Sequence, residues 1–268
     1  MPDFITALVG VYTGSGLSSV QTVCTFYVIY AYCLYTRKPL WHVLIVHGIT
    51  GMLGTFIENC FIAKTISNPG ENWGMLLGIN EINWILHEST TVLYSLLKLE
   101  TIVSNRAQKL AIRGVMGACF VAFAACRINI GYHRVQDDTT MDPVIARAHS
   151  YAFIVWGTAD LILFALLIAN TINQCLVNAT KGMILVLFSS SVPRFLFLII
   201  NTFIIVVLGQ LTTMDEGQSN LNSLVWTFKG SYPLVLLFDL ITTRDMLIQK
   251  AESKQTNSDK KSTSTALK

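Results

Sequence analysis

Charged residues are scarce. Asp, Glu, Lys and Arg make up 13% of the 268 residues, about half of the ~25% usual in a soluble domain, which excludes a water-facing surface over most of the chain. Motifs for metal and redox chemistry are missing as well. The six cysteines show no CxxC spacing and the histidines form no HxxxH or HExxH pattern, so neither zinc nor thiol exchange is expected. Cys24, Cys33, Cys119 and Cys126 fall inside apolar stretches, Cys60 and Cys175 near their ends, and all read as small packing residues. Residues 1–17 lack the basic start and small-residue cleavage site of a secretory signal, so the first apolar stretch is expected to stay as a signal-anchor. No inverted repeat of the transporter kind is visible.

What the chain has instead is long apolar runs, at about 18–36, 40–64, 73–101, 109–131, 148–174, 181–210 and 220–243. A hydrocarbon core about 30 Å thick takes about 20 residues of helix, and in lipid the backbone must close its own hydrogen bonds, so spans are helices or a closed barrel. Uninterrupted runs, as opposed to alternating segments of about ten residues, predict helices. The expected fold is all-α: a polytopic seven-transmembrane helix bundle over 18–247, preceded by an outer segment, 1–17, and followed by a disordered basic cytosolic tail, 248–268. Residues 3–12 are apolar but too short to span, and are expected to lie on the outer interface or fold over the bundle as a lid.

Orientation is read from the basic residues. Of the 19 Lys and Arg, an outside amino terminus puts thirteen on the inner side and four, Lys64, Arg127, Arg134 and Arg147, outside; Arg194 and Lys229 lie within spans. The amino terminus is therefore expected outside and the carboxyl terminus in the cytosol. The net charge of +3 then reflects topology, and no nucleic-acid partner is expected. Asn178-Ala179-Thr180 matches a glycosylation sequon but falls on the inner side, as a chance match.

The chemistry lies in groups that lipid penalises by about 2.5–3.5 kcal/mol each at a helix centre. Glu81 and Glu88 are seven apart, within about 20° on one helical face, and Ser95 extends the stripe. Asn80, Asn83 and His87 make the same helix too polar to face lipid. Glu58, Asp160, Arg194 and Lys229 fall at similar depths, and Ser190, Arg194 and Asn201 form a stripe on the sixth span. These groups serve either as buried salt bridges that fix helix register, with Glu88 on Arg194 and Glu81 on Lys229 as the natural pairs, or as a ligand, ion or proton site. Pro193 and Pro233 each stand beside a polar group and would kink their helices as hinges. His42 and His47 diverge on a helix, whereas His87 beside Glu88 could relay protons. Lys98, Glu100, Asp239 and Arg244 cluster at inner helix ends, where they would hold a gate, meet a cytosolic partner or act as ordinary end charges.

Seven helices, an outside amino terminus, kinked sixth and seventh helices and a basic tail resemble a G-protein-coupled receptor in architecture. The third helix, however, ends Leu97-Lys98-Leu99-Glu100 without the acid-Arg-Tyr triplet, the seventh has Tyr232-Pro233 without Asn-Pro-xx-Tyr, and no cysteine opens the third helix. Gly14-Ser15-Gly16, Gln21-Thr22, Tyr27 and Tyr30, with Tyr232 and the leucine-rich run to Arg244, resemble fungal seven-helix receptor-like proteins at the two ends of the chain. Lys229 in the seventh span, with Glu81 or Glu88 as counterion, is similar to a microbial rhodopsin, although the seventh-helix acid is absent and Asn83 stands at the family's acid position. Length and span count resemble the small fungal terpene cyclases, in which Glu88, Asp239 and His87 would be the acid-base groups of an isomerase or cyclase.

The resulting expectation is a receptor-like signalling protein whose intramembrane pocket, made by Glu58, Glu81, His87, Glu88, Asp160, Arg194 and Lys229, takes a small ligand or ion. Its other partners would be the lipid bilayer of the plasma membrane or an endomembrane and a cytosolic signalling protein. A membrane enzyme, a proton-coupled transporter and a retinal protein are the alternatives; no metal is expected, and no cofactor unless retinal on Lys229.

Overall fold

The computed structural model describes residues 2–35, 38–103, 105–140, 142–178, 181–211 and 216–244, with side chains left out at 173–190 and 216–219. Its helices are α1 (Phe4–Gly14), α2 (Gly16–Leu34), α3 (Pro39–Ser67), α4 (Gly74–Glu100), α5 (Arg106–Asp137), α6 (Pro143–Asn178), α7 (Lys181–Gly209) and α8 (Glu216–Gly230), followed by α9 (Tyr232–Arg244). No strand occurs among the described residues. Among the described residues five helices are long and apolar enough to cross a membrane, or six when α8 and α9, bent by 40° at Ser231, count as one.

The helix α4 is not among them. Its 27 residues reach about 40 Å at 1.5 Å each, but it carries the polar stripe, and the fold accordingly places it innermost, against α3, α5 and α6. Helices α2, α3, α4, α5, α6, α7 and α8 contact in sequence, and α8 returns to α2. Polarity runs inside out. Leu110, Val121 and Phe203 are each at least two-thirds exposed, while Arg127, Lys229, Glu88 and Asp239 are buried. Such an arrangement suits an integral, multi-pass membrane protein.

The short amino-terminal helix neither covers the bundle nor lies apart from it. Asp3 caps α1 by accepting the Thr6 N–H at 2.9 Å, and Ser15 breaks the helix and caps α2 by accepting the Ser18 N–H at 3.3 Å. Beyond this one-residue break α1 continues along α3: Phe4 meets Trp73 at 5.9 Å and Tyr12 meets Phe56 at 6.4 Å between ring centroids.

The connection expected at 132–147 is shorter than its composition suggests. Helix α5 runs on to Asp137, Asp138 takes the left-handed conformation (φ 44°) that closes the helix, and α6 starts at Pro143. Asp is one of the few side chains that visit this region routinely. Here its carboxylate accepts the Trp73 N–H at 3.0 Å and the Lys64 ammonium at 3.2 Å, tying the α5 end to the α3–α4 turn. Thr36 and Arg37 of the inner turn, Ala179 and Thr180 of the sequon, residues 212–215 and the tail from 245 lie outside the described residues, as do the side chains of Cys175 and Ser190.

Candidate functional site

The amino-terminal face of the bundle is the end that holds Ser67, Gly74, Asp137 and Gly209; the carboxyl-terminal face holds Leu34, Glu100 and Arg244. From the first face to the middle of the bundle runs an ion-pair chain. Arg134 bridges Glu58 at 2.7 Å and Glu81 at 2.8 Å, and Glu58 also accepts the Trp84 indole N–H at 3.0 Å. Arg127 bridges Glu81 at 3.1 Å and Glu88, and Glu88 is further paired with Lys229. Three carboxylates thus meet three cations, contributed by α3, α4, α5 and α8, with the chain buried at every member except half-covered Glu58.

This corrects two expected pairs. Glu88 is held by Arg127 and Lys229 and not by Arg194, and Glu81 by Arg127 and Arg134 and not by Lys229. The basic-residue pattern places Arg127, Arg134 and Lys64 outside, yet each is at most 3% exposed within the bundle. The signal was present. Arg127 and Arg134 are seven apart, as are Glu81 and Glu88, and two equal spacings on antiparallel neighbours bring the stripes face to face.

A second cluster lies toward the carboxyl-terminal face. Lys98 donates to Asp239 and to Ser191, both at 2.7 Å, and to Thr243 at 3.0 Å. Asp239 also accepts the Tyr94 hydroxyl at 3.0 Å, and Arg194 stands 3.5 Å from it. These contacts tie α4, α7 and α9 together. Arg194 donates to Ser95 at 3.2 Å, and Ser95 donates to Asp160 at 3.4 Å. Asp160, 8% exposed, is the buried carboxyl that has no ion pair among the described residues.

Between the clusters lies a cavity lined by His47, His87, Glu88, Thr91, Trp156, Asp160, Lys229 and Tyr232, among others, with ≈ 20 Å³ in which a water-sized sphere can be centred. That is room for about one water. Lys229 sits at its wall beneath Trp84, Phe153 and Trp226, whose ring centroids lie 5.1, 4.6 and 4.6 Å from the ammonium. The break between α8 and α9 follows directly. Gly230 at that break allows α8 to approach α2 closely, since a Cβ there would stand 2.9 Å from the Leu17 carbonyl oxygen.

His87 does not stand alone beside Glu88. It stacks on His47, with centroids 4.1 Å apart, and each Nδ1 lies 2.8 Å from the other's carbonyl oxygen. A carbonyl accepts only, so both Nδ1 atoms carry a proton and donate it. The His47 Nε2 is buried without a partner among the described residues. This reciprocal pair rests on Gly51, where a Cβ would come within 2.6 Å of the His87 ring. His42 points away from it and is exposed, as the five-residue spacing predicts.

Of the residues expected at the site, Glu88, His87, Asp160 and Lys229 share the cavity wall. Glu58 and Glu81 belong to the chain above it, and Arg194 to the cluster below. No group of three or more potential metal ligands occurs among the described residues. Comparison with family models, with curated proteins and with solved structures finds no match to this chain.

Proposed function

We propose that the protein is a seven-span, receptor-like membrane protein whose small polar ligand is read by Glu88, Lys229 and Asp160. In this reading α4 is the third span and the α8–α9 pair the seventh. The observation that carries it is the position of the cavity: it adjoins the break in the α8–α9 pair, and the Lys98–Asp239 pair ties that same α9 to α4 on the far side. A ligand that enlarges the cavity by displacing α8 or α9, which supply Lys229 and Tyr232 to its wall, strains the lower tie. A small event in the pocket would thereby change the carboxyl-terminal face, where a cytosolic partner would bind.

Ion pairing sets the chemical class of the ligand. Glu88 and Lys229 neutralise one another, so a zwitterion or a hydrogen-bonding neutral molecule can exchange with the pair at no net charge, whereas a simple ion would leave a buried charge uncompensated. The missing seventh-helix acid and the polar Gly230-Ser231-Tyr232 sequence favour a non-covalent role for Lys229 over a retinal link. Glu88 and Asp239 are both ion-paired and lie in separate clusters, which weakens their case as acid catalysts of an isomerase or cyclase.

The orientation goes with this reading. With Lys64, Arg127 and Arg134 inside the bundle, Arg147 is what remains of the four basic residues assigned to the amino-terminal face, and the excess of basic residues on the other side favours an outside amino terminus. Protease applied to intact cells should spare a tag placed after Lys268.

Coupling between the two faces tests the receptor reading. Glu88 and Lys98 are ten residues apart, about 15 Å along α4. A bimane attached to a cysteine at position 242 should change its emission when Glu88→Gln is introduced. Proteoliposomes carrying the same protein should take up no amino acid. An unchanged spectrum would remove the reading, and uptake would replace it with the proton-coupled transporter.

A further inference from the structure

Arg194 is 2% exposed, and only one edge of its guanidinium is used. Its Nη1 donates to Ser95 at 3.2 Å. Its Nε and Nη2 find no hydrogen-bond acceptor among the described residues, the Asp239 carboxylate standing 3.5 Å from Nε outside hydrogen-bond geometry. Nε–H and Nη2–H project in parallel from one side of the planar group, so the unused edge is the one that grips a carboxylate with two bonds. Buried donors are seldom left empty in a finished structure.

Beside Arg194 a groove of ≈ 310 Å³ opens between α7 and α9, walled by Pro193, Phe197, Val235 and Phe238 with Arg194 and Asp239 at its floor. This is the lower end of the range for small-molecule sites. Its mouth is apolar and faces outward: Pro193 is exposed, Phe238 is 62% exposed, and Leu196 and Ile200 continue the surface at 49% and 57%. In a membrane that surface meets acyl chains. At the floor the cations Lys98 and Arg194 share the Asp239 carboxylate, while Asp160 reaches Arg194 only through Ser95.

We propose that this groove binds a single-chain amphiphile with a carboxylate headgroup, such as a free fatty acid. The carboxylate takes the Nε/Nη2 edge of Arg194, and the chain leaves past Val235, Phe238 and Pro193 into the bilayer. A single carboxylate supplies two acceptors for the two unused donors of Arg194, whereas a phosphate dianion would add a second charge beside Asp239. The site is separate from the central cavity, and its existence does not depend on the receptor reading.

The test uses the full chain in phosphatidylcholine nanodiscs with spin-labelled stearic acid, followed by electron paramagnetic resonance. The expected result is saturable immobilisation of one acid per chain, with the methyl ester of the same probe at least tenfold weaker. Arg194→Gln should weaken acid binding at least tenfold and Arg194→Lys less, since lysine keeps the charge but not the two-bond edge. Val235→Phe, which fills the groove and leaves the cluster intact, should reduce binding without shifting the melting temperature. Equal binding of acid and ester would overturn the proposal, as would unchanged binding in Val235→Phe or stronger competition by a single-chain phosphate than by stearate.

Discussion

The two ion clusters use similar groups in different ways. In the upper chain three carboxylates meet three cations, and both arginines bridge two acids each. In the lower cluster two cations converge on Asp239, and Arg194 keeps two donors unused. The upper chain matches its charges one for one and joins α3, α4, α5 and α8 in one register, with the Arg134 Nε left without an acceptor among the described residues. The lower one is under-coordinated, borders a lipid-facing groove and joins the helices beside the Pro193 and Ser231 irregularities. One holds the fold, and the other leaves something to be bound or released.

The largest expected effect separates them directly. Arg127→Met removes the bridge between Glu81 and Glu88 and leaves an uncompensated negative charge in the core, a change that typically costs about 3–5 kcal/mol. Arg194→Met leaves Asp239 paired with Lys98 and Tyr94, and should fall in the ordinary range of about 0.5–3 kcal/mol. Both are read from unfolding of the purified protein in mixed micelles titrated with sodium dodecyl sulfate. Equal costs would erase the distinction between a charge-matched and an under-coordinated cluster.

Double-mutant cycles sharpen the same contrast at smaller scale. Glu88→Gln with Arg127→Met should show coupling on the order of 0.5–3 kcal/mol, because the groups touch. Glu88→Gln with Arg194→Met should be additive within about 0.5 kcal/mol, because the two share no partner. Strong coupling in the second pair would mean that the central cavity transmits between the clusters at rest.

How much of this was legible follows from what each signal measures. Hydropathy located α2, α3, α5, α6, α7 and the α8–α9 region to within a few residues at most ends, because the cost of exposing polar groups to lipid acts on every residue of a span. Ends set by side-chain contacts were not legible. The α5 end is expected at 131 and lies at Asp137: Arg134, expected on the outer side, is buried on Glu58 and Glu81. Glu81 and Glu88 announced an interior face through their heptad spacing, but depth alone could not say which helix supplied the partner, and Arg194 at a similar level was as good a choice as Arg127. Only the packing order, with α4 innermost and α5 against its acidic face, decides that. His47 was missed for a related reason: its partner is 40 residues away, and no local pattern marks a stacked pair.

The histidine pair lies between the two clusters and offers an intermediate test. Gly51→Ala places a methyl group within 2.6 Å of the His87 ring and 2.5 Å of the Gln21 amide. The Gln21 side chain can swing, but His87 is fixed by its stack and by the His47 carbonyl. Overpacking of this kind costs about 1–3 kcal/mol, and Gly51→Ser should be worse than alanine. A neutral Gly51→Ala in the same micelle titration would show that α3 and α4 can separate without loss.

The smallest effect expected is at Tyr94, whose hydroxyl donates to Asp239 at 3.0 Å from a fully buried ring. Tyr94→Phe keeps the ring that packs with Val28, Leu44 and Leu236 and faces Arg194 at 5.0 Å, so only one hydrogen bond is lost. Asp239 retains Lys98 and Ser191 as donors, and the loss should be at most the ~1.5–3 kcal/mol of a hydrogen bond to a charged group. The freed acceptor also gives the unused edge of Arg194 a reason to close the 3.5 Å gap to Asp239. If it does, Tyr94→Phe weakens stearate binding several-fold while costing little stability, because Asp239 then competes for the edge that the acid requires. Unchanged binding together with a stability loss above about 3 kcal/mol would place Tyr94 in a network like the upper chain, and the contrast between the two clusters would fail at this residue.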